Sequence, residues 1–227
     1  MKEADLYQPT KELLENLDFT VKGEVKTCDI AAIRNDELWI IELKRHMSID
    51  LVYQAMERQT ISPFVFVGIP RPKVVDRRAL KLLKKLDIGL ITVALDSPVV
   101  RAEIASFPIG SGRYGKRAEI IRKEVRGRIG DTPGGSTGIP ITTAYKERCI
   151  KIACLLGQVN DLSAKELKQY GCENDTSSIL RRNQYNWYEK IKRGRYALSE
   201  VGQNFLDDNK HSQVITYYID YAKNCLI

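Results

Sequence analysis

Asp29, Glu42 and Lys44 are the residues of this chain best placed to do chemistry. They lie in one stretch, Lys26-Thr-Cys-Asp-Ile-Ala-Ala-Ile-Arg-Asn-Asp-Glu-Leu-Trp-Ile-Ile-Glu-Leu-Lys44, which reads as a β-hairpin. Cys28 to Ile33 and Leu38 to Leu43 are apolar and β-prone, and the four residues between them are turn formers. If Asn35-Asp36 is a two-residue loop, Arg34 faces Glu37 and Ile33 faces Leu38. Continuing along the ladder, Asp29 comes to face Glu42, with Cβ atoms about 4.5–5.5 Å apart. Lys44, two residues beyond Glu42, projects from the same face.

Two carboxylates directly opposed in a sheet repel and destabilise it. A dication between them removes that penalty. All-oxygen donors on rigid strands suit Mg²⁺, or Mn²⁺, which binds through one or two carboxylates and keeps several waters. Lys44 would add a positive charge able to orient a water or stabilise a phosphate oxygen. An outward-facing charge pair on a half-exposed hairpin is the commoner meaning of such a pattern. Three features argue against it here. Leu38 to Ile41 are apolar on both faces, so the strand reads as central. Asp29 interrupts an apolar run. The two acids fall in register.

The elements needed to position these residues can be read around them. Asp5 to Leu17 forms an amphipathic helix, with Pro9 in its first turns. Thr20 to Val25 is a strand, followed by the hairpin. Ser48 caps a helix running to about Ile61. Residues 63–69 form a buried strand, Val75 to Leu86 a basic amphipathic helix, and Gly89 to Leu95 another buried strand. The order is αβββαβ with a further αβ, an α/β sheet packed by helices. A strand over 98–107, a basic helix over Tyr114 to Arg126 and a Gly/Pro-rich stretch over 127–138 follow. Beyond them the chain turns mostly helical: Ala144 to Leu156, a short helix opened by the capping box at Ser163, and one starting at Thr176. Trp187 to Leu198 reads as a basic hairpin turning at Arg193-Gly194. A helix capped by Ser199 and another over 212–225 end the chain. Helices followed by a basic hairpin describe a winged helix-turn-helix. The expected domains are a core over 1–110, a basic helix and linker over 111–140, and a winged-helix-like domain over 141–227.

Charge supports a nucleic-acid partner. The net charge is +7 over 227 residues, and residues 1–100 carry equal numbers of basic and acidic side chains, so the excess lies wholly in 101–227. It concentrates in 101–130 and 181–195, the clustered footprint of a nucleic-acid binder. Arg117, Arg181, Arg182, Lys192, Arg193 and Arg195 are the candidate phosphate contacts there. No stretch is apolar enough to span a membrane, and the first residues resemble no secretory signal. Five cysteines, an odd number with no C-x-x-C pair, fit a reducing cytoplasm better than a disulfide framework. Two histidines are too few for a His-based metal cluster, and His46 reads as a loop residue. Gly110-Ser-Gly-Arg-Tyr-Gly115-Lys116 has Walker A spacing, but Arg117 stands where a Ser or Thr must hold Mg²⁺ and Pro108 breaks the strand that should precede it. Nucleoside-triphosphate binding is therefore rejected.

On the helix after Lys44, Gln54 and Arg58 share a face, pointing either at the acids or at solvent. Glu24 and Glu12 are candidate third acids, with Glu24 favoured because its strand neighbours the hairpin. Asp29 followed by Glu42-Leu43-Lys44 on an αβββαβ framework resembles the PD-(D/E)xK nuclease superfamily, although Cys28 replaces the proline before the first acid. The resemblance to the bacterial PD-(D/E)xK-type phosphodiesterases extends to Asp5-Leu-Tyr-x-Pro, Val21-Lys-Gly-Glu-Val25, Gly134-Gly-Ser-Thr, Thr143-Ala-Tyr, Ile179-Leu-Arg-Arg-Asn and Trp187-Tyr-Glu-Lys-Ile-Lys-Arg-Gly-Arg-Tyr-Ala-Leu. It implies a restriction-endonuclease-like core, with Asp29 and Glu42 as metal ligands, Lys44 as the catalytic lysine and Gln54 assisting.

The expected function is a Mg²⁺- or Mn²⁺-dependent phosphodiesterase, an endonuclease cleaving DNA in the cytoplasm, with Arg58 and the basic second half holding the substrate. A homodimer is compatible with this reading, and no membrane partner is expected. Two rivals remain: a catalytically silent DNA-binding protein, and a protein-interaction module of a defence system.

Overall fold

The structure, a computed structural model, describes residues 2–74, 76–95, 99–135 and 142–226. The expected helix start at Val75, the strand start at residue 98 and the Gly/Pro-rich stretch beyond residue 135 fall partly or wholly outside them. The chain divides into two compact units, Met1–Ile141 and Thr142–Ile227.

The first unit is a mixed sheet of six strands in the order β1 to β6, flanked by helices. A 3₁₀ turn, Glu3–Leu6, runs into α1 (Tyr7–Glu15), so the expected first helix begins as a tighter turn. Next come β1 (Thr20–Val25), β2 (Cys28–Arg34) and β3 (Glu37–Leu43), an antiparallel meander. Two helical crossovers follow: α2 (Ile49–Gln59) leads to β4 (Phe64–Pro70), and α3 (Arg77–Lys85) to β5 (Gly89–Ala94). β3, β4 and β5 are mutually parallel, the usual result of joining strands through helices. β6 (Arg101–Ser106) closes the sheet antiparallel to β5.

β3 lies inside the sheet, which explains its double-sided apolar pattern. Leu38 and Ile40 face one core with Leu51, Val52 and Ala55 of α2, while Trp39, Ile41 and Leu43 face another with Leu6, Tyr7 and Leu14. By alternation, Asp29 and Glu42 belong to the α2 face. Ser48 caps α2, its hydroxyl accepting from the Leu51 amide at 3.2 Å.

Residues 111–135, expected as a basic helix and linker, pack into this unit. In α4 (Ala118–Arg126), Ala118, Ile121 and Val125 are buried in the α2-side core. Arg128 donates to the carbonyls of Gly23 and Glu24 at 3.1 Å each. Asp131 accepts from Tyr7 at 2.6 Å and from the Gly23 amide at 2.9 Å, stitching the strap after α4 to both α1 and β1.

The second unit contains α5 (Ala144–Leu156), β7 (Leu162–Ser163), α6 (Ala164–Gln169), α7 (Thr176–Arg182), β8 (Tyr188–Lys192), β9 (Arg195–Leu198), α8 (Glu200–Asp208) and α9 (Gln213–Leu226). The Ser163 capping box opens α6 as expected. The two-residue β7 joins the hairpin to give a sheet of order β7-β9-β8. Asn183, the residue that caps α7, takes a left-handed conformation with φ 43°. Its side chain exchanges hydrogen bonds with both backbone groups of Tyr188. Trp187, buried, is stacked between Tyr185 and Phe205; these aromatics fill the interior.

Candidate active site

The β2–β3 register brings the two acids together. Arg34 pairs with Glu37 and Ile30 with Ile41. One step further, Asp29 lies across from Glu42 at the end of the hairpin. Asn35 in the loop has φ 52°, the left-handed conformation that two-residue hairpin turns require. Glu42 is 2% exposed.

Each carboxylate has one oxygen bonded to protein. Asp29 Oδ2 accepts from the Leu43 amide at 2.8 Å, and Glu42 Oε1 accepts from Arg58 Nε at 2.7 Å. Burial pushes the Glu42 carboxyl up to about 7, and the neighbouring Asp29 adds to the shift, against the pull of Arg58. Burial also raises Asp29, opposed by its bond from Leu43 and by Lys44. Cys28, beside them, is raised to about 12 by burial and by Glu42, so it is no nucleophile at neutral pH.

Lys44 follows β3 immediately, its amide donating to the Gly68 carbonyl at 3.0 Å. Its ammonium lies 3.6 Å from Glu3 Oε1, with both side chains about a third exposed. Glu3 also bears electrostatically on Asp29. Sequence spacing does not reveal Glu3: it sits in a short 3₁₀ turn far upstream, and nothing local links it to the hairpin.

The remaining candidates separate. Arg58 reaches into the site and pairs with Glu42, so it is committed to an acid of the protein and not to substrate phosphate. Gln54, one turn earlier on the same face of α2, is half-buried. Glu24 lies between the Gly23–Ile30 and Val25–Cys28 pairs, beside Asp29, with φ 49°. Glu12 is exposed and accepts from Gln8 at 2.9 Å on the surface of α1, so it is no third acid. Among the described residues no group of three or more His, Cys, Asp or Glu is arranged to hold a metal ion. Asp29 and Glu42 face each other, and such a pair fits a hard dication that keeps most of its ligands as water.

The strap after α4 packs against the Asp29 backbone and Tyr7. A Cβ on Gly134 would stand 2.3 Å from the Asp29 carbonyl oxygen, and one on Gly135 would stand 2.9 Å from Glu3 Cβ. Only glycine allows this approach.

Several basic side chains are occupied elsewhere. Arg122 and Arg126 of α4 donate to the Asp36 and Asn35 carbonyls of the hairpin loop at 2.7 and 3.2 Å. Arg195 pairs with Asp161 and Glu166 within the second unit, because β9 runs beside β7; it is not free to hold a phosphate. Arg117, Arg181, Arg182, Lys192 and Arg193 are exposed. The Walker-like loop has its own internal anion. Asp87 accepts from the amides of Ile109, Gly110 and Ser111 and from the Ser111 hydroxyl. Those donors are spent on a carboxylate of the chain.

This mixed α/β architecture, with the buried Glu42 near the end of a central strand and Asp29 opposite it, is compatible with the PD-(D/E)XK proteins. The chain belongs to the family described as putative PD-(D/E)XK phosphodiesterase (DUF2161), whose model matches residues 91–205. That span runs from within β5 through α4, the strap and most of the second unit. It holds none of Asp29, Glu42 and Lys44, but it supplies Gly134, which packs on Asp29. No curated protein and no solved structure matches the chain significantly. Among the described residues no helix is long and apolar enough to cross a membrane.

Proposed function

We propose that the chain is a divalent-metal-dependent phosphodiesterase that cleaves DNA. The observation that carries this reading is the buried Glu42 facing the half-buried Asp29 across two strands, with the Lys44 charge bearing on both. Setting a buried acid beside a half-buried one raises the proton affinity of both and costs stability, which a structural role does not need. Asp29 and Glu42 would hold the metal, Mg²⁺ or Mn²⁺. A bound dication would neutralise charge at the scissile phosphate and make a bound water more acidic. Lys44, whose charge bears on both acids, would orient an attacking water or stabilise a phosphate oxygen, and its contact with Glu3 would limit the directions it can take. Gln54 faces the same side of α2 as Arg58 and would orient the water. Positioning and charge stabilisation are what diester hydrolysis chiefly requires.

The second unit would hold the substrate. Its order of helix, short strand, two helices and hairpin supports a winged-helix-like module. Arg181 and Arg182 at the end of α7, with Lys192 and Arg193 at the hairpin turn, are its phosphate contacts; Arg117 would contribute from the first unit.

One observation favours a second reading. Arg58 already provides a cation for Glu42, so the core could bind DNA without cleaving it. The test is incubation of plasmid, linear, single-stranded and branched DNA with Mg²⁺ or Mn²⁺, using wild type and Asp29→Ala. Metal-dependent cleavage lost in Asp29→Ala is expected. Equal products from both proteins, or none from either, would reject the enzyme.

A further inference from the structure

The carboxyl ends of β3 and β4 border a pocket of about 250 Å³. Open α/β sheets take their ligands at such strand ends. The pocket adjoins the candidate active site through the backbone. Glu42 pairs with Val67, and Ile69, two residues along the same face of β4, lines the pocket. On the other side Arg45 and His46, directly after Lys44, form part of its rim. Ile69, Leu80 and Leu90 make its interior apolar, while Arg45, His46 and Arg71 are exposed at the mouth.

We propose that this pocket takes one unpaired nucleobase of the strand whose phosphate is held at Lys44. The inference rests on the phosphodiesterase reading and adds a substrate class to it. An apolar slot with a cationic mouth is complementary to a flat ring tethered to an anionic backbone. Arg71 is partly neutralised by Glu103, and the Asp76 carboxylate at the rim is turned to its own helix, accepting from the Arg78 amide at 2.8 Å. Arg45 and His46 have no ion-pair partner among the described residues, so the Arg45 charge and both planar faces are available to a nucleotide. The volume lies below the roughly 300–1,000 Å³ of pockets for drug-sized ligands, so it suits a single ring system and excludes a base pair. A base must therefore leave its stack to enter, which costs least in single-stranded, frayed or mismatched DNA. The enzyme prefers such substrates to intact duplex.

The test is a calorimetric titration of dAMP, deoxyribose 5-phosphate and inorganic phosphate into wild type, Val74→Trp, Ala79→Trp and Asp29→Ala. Val74 and Ala79 both line the pocket, and Val74 is 84% exposed, so its replacement leaves the fold intact even if Ala79→Trp does not. Wild type should bind dAMP about tenfold more tightly than deoxyribose 5-phosphate, the scale of one base–protein stack. The gap should close in both tryptophan variants and persist in Asp29→Ala. No gap in wild type, or an unchanged gap in Val74→Trp, overturns the pocket. Base discrimination without any DNA cleavage would reject the enzyme while leaving the pocket standing; cleavage without discrimination would do the reverse.

Discussion

Arg58 Nε donates to Glu42 Oε1 at 2.7 Å, so a cation from α2 already neutralises the buried acid of the pair. The Glu42 side chain is 3% exposed and that of Arg58 14%. Removing one member of such a pair leaves the other charge buried and alone. Arg58→Ala should therefore cost about 3 kcal/mol in urea unfolding at pH 8. The cost should shrink at pH 5, where Glu42 is protonated and neutral. A loss of equal size at both pH values would mean that Arg58 acts through packing alone.

The raised Glu42 carboxyl sets a pH window. Its ordinary value is 4.5 and burial moves it to about 7 in the folded protein. The folded state thus keeps a proton that the unfolded chain releases. This stabilises the fold fully below about pH 4.5, and the contribution is lost as pH rises through about 7. Relative to Glu42→Gln, wild type should lose about 3 kcal/mol across that interval. The gain in melting temperature on adding Mg²⁺ or Mn²⁺ should grow over the same interval, since the metal requires the ionised pair. Parallel stability curves for the two proteins would refute the shift.

Lys44→Ala separates chemistry from fold. Its contact with Glu3 is long and partly exposed, so stability should change by less than about 1 kcal/mol. DNA cleavage should disappear while DNA affinity stays within a few-fold, because affinity comes from many distributed contacts. Full activity in the variant would place the reaction at another centre.

The strap makes its own prediction. Gly134→Ala sets a methyl group 2.3 Å from the Asp29 carbonyl, and backbone on both sides cannot yield cheaply. A loss of about 1–3 kcal/mol is expected in thermal unfolding, with a smaller metal-induced stabilisation as Asp29 shifts. A variant as stable as wild type would show that the strap does not bear on the acid pair.

In the second unit, replacing Lys192 and Arg193 with alanine should flatten the salt dependence of DNA binding by about 1.8 in the log–log slope, two contacts' worth. Arg195→Ala should leave the slope alone and lower the unfolding temperature, because its partners are Asp161 and Glu166. An unchanged slope in the double variant would remove the hairpin from the DNA-binding surface.

What could be read from the sequence was the local order. Alternation and a two-residue loop define the hairpin, and once the loop is placed the Asp29–Glu42 register follows without tertiary information. Helix caps at Ser48, Ser163 and Ser199 were legible for the same reason. Side-chain partners were not. Arg58 could point either way from α2, and only the packed helix shows it reaching Glu42. Arg195 is a positive charge in sequence, but its carboxylates lie some thirty residues upstream. Glu3 joins Lys44 because the 3₁₀ turn packs beside β3 and β4, a proximity that no spacing encodes. β7 is two residues long and too short for any periodicity.

The boundaries of the family match carry a practical warning for anyone dissecting the gene. Residues 91–205 begin inside β5, which starts at Gly89, and stop before α8 ends at Asp208. A fragment cut to that span would keep β5 and β6 while discarding the four strands on the far side of β5. The side of β5 that pairs with β4 would then be a naked apolar edge, an invitation to intermolecular pairing. The fragment would also lose α9, whose Val214, Ile215, Tyr218 and Ala222 are buried in the second unit. Inclusion bodies from such a fragment would report the position of the cut, not the stability of the protein; a division between the two units leaves every strand with its neighbours.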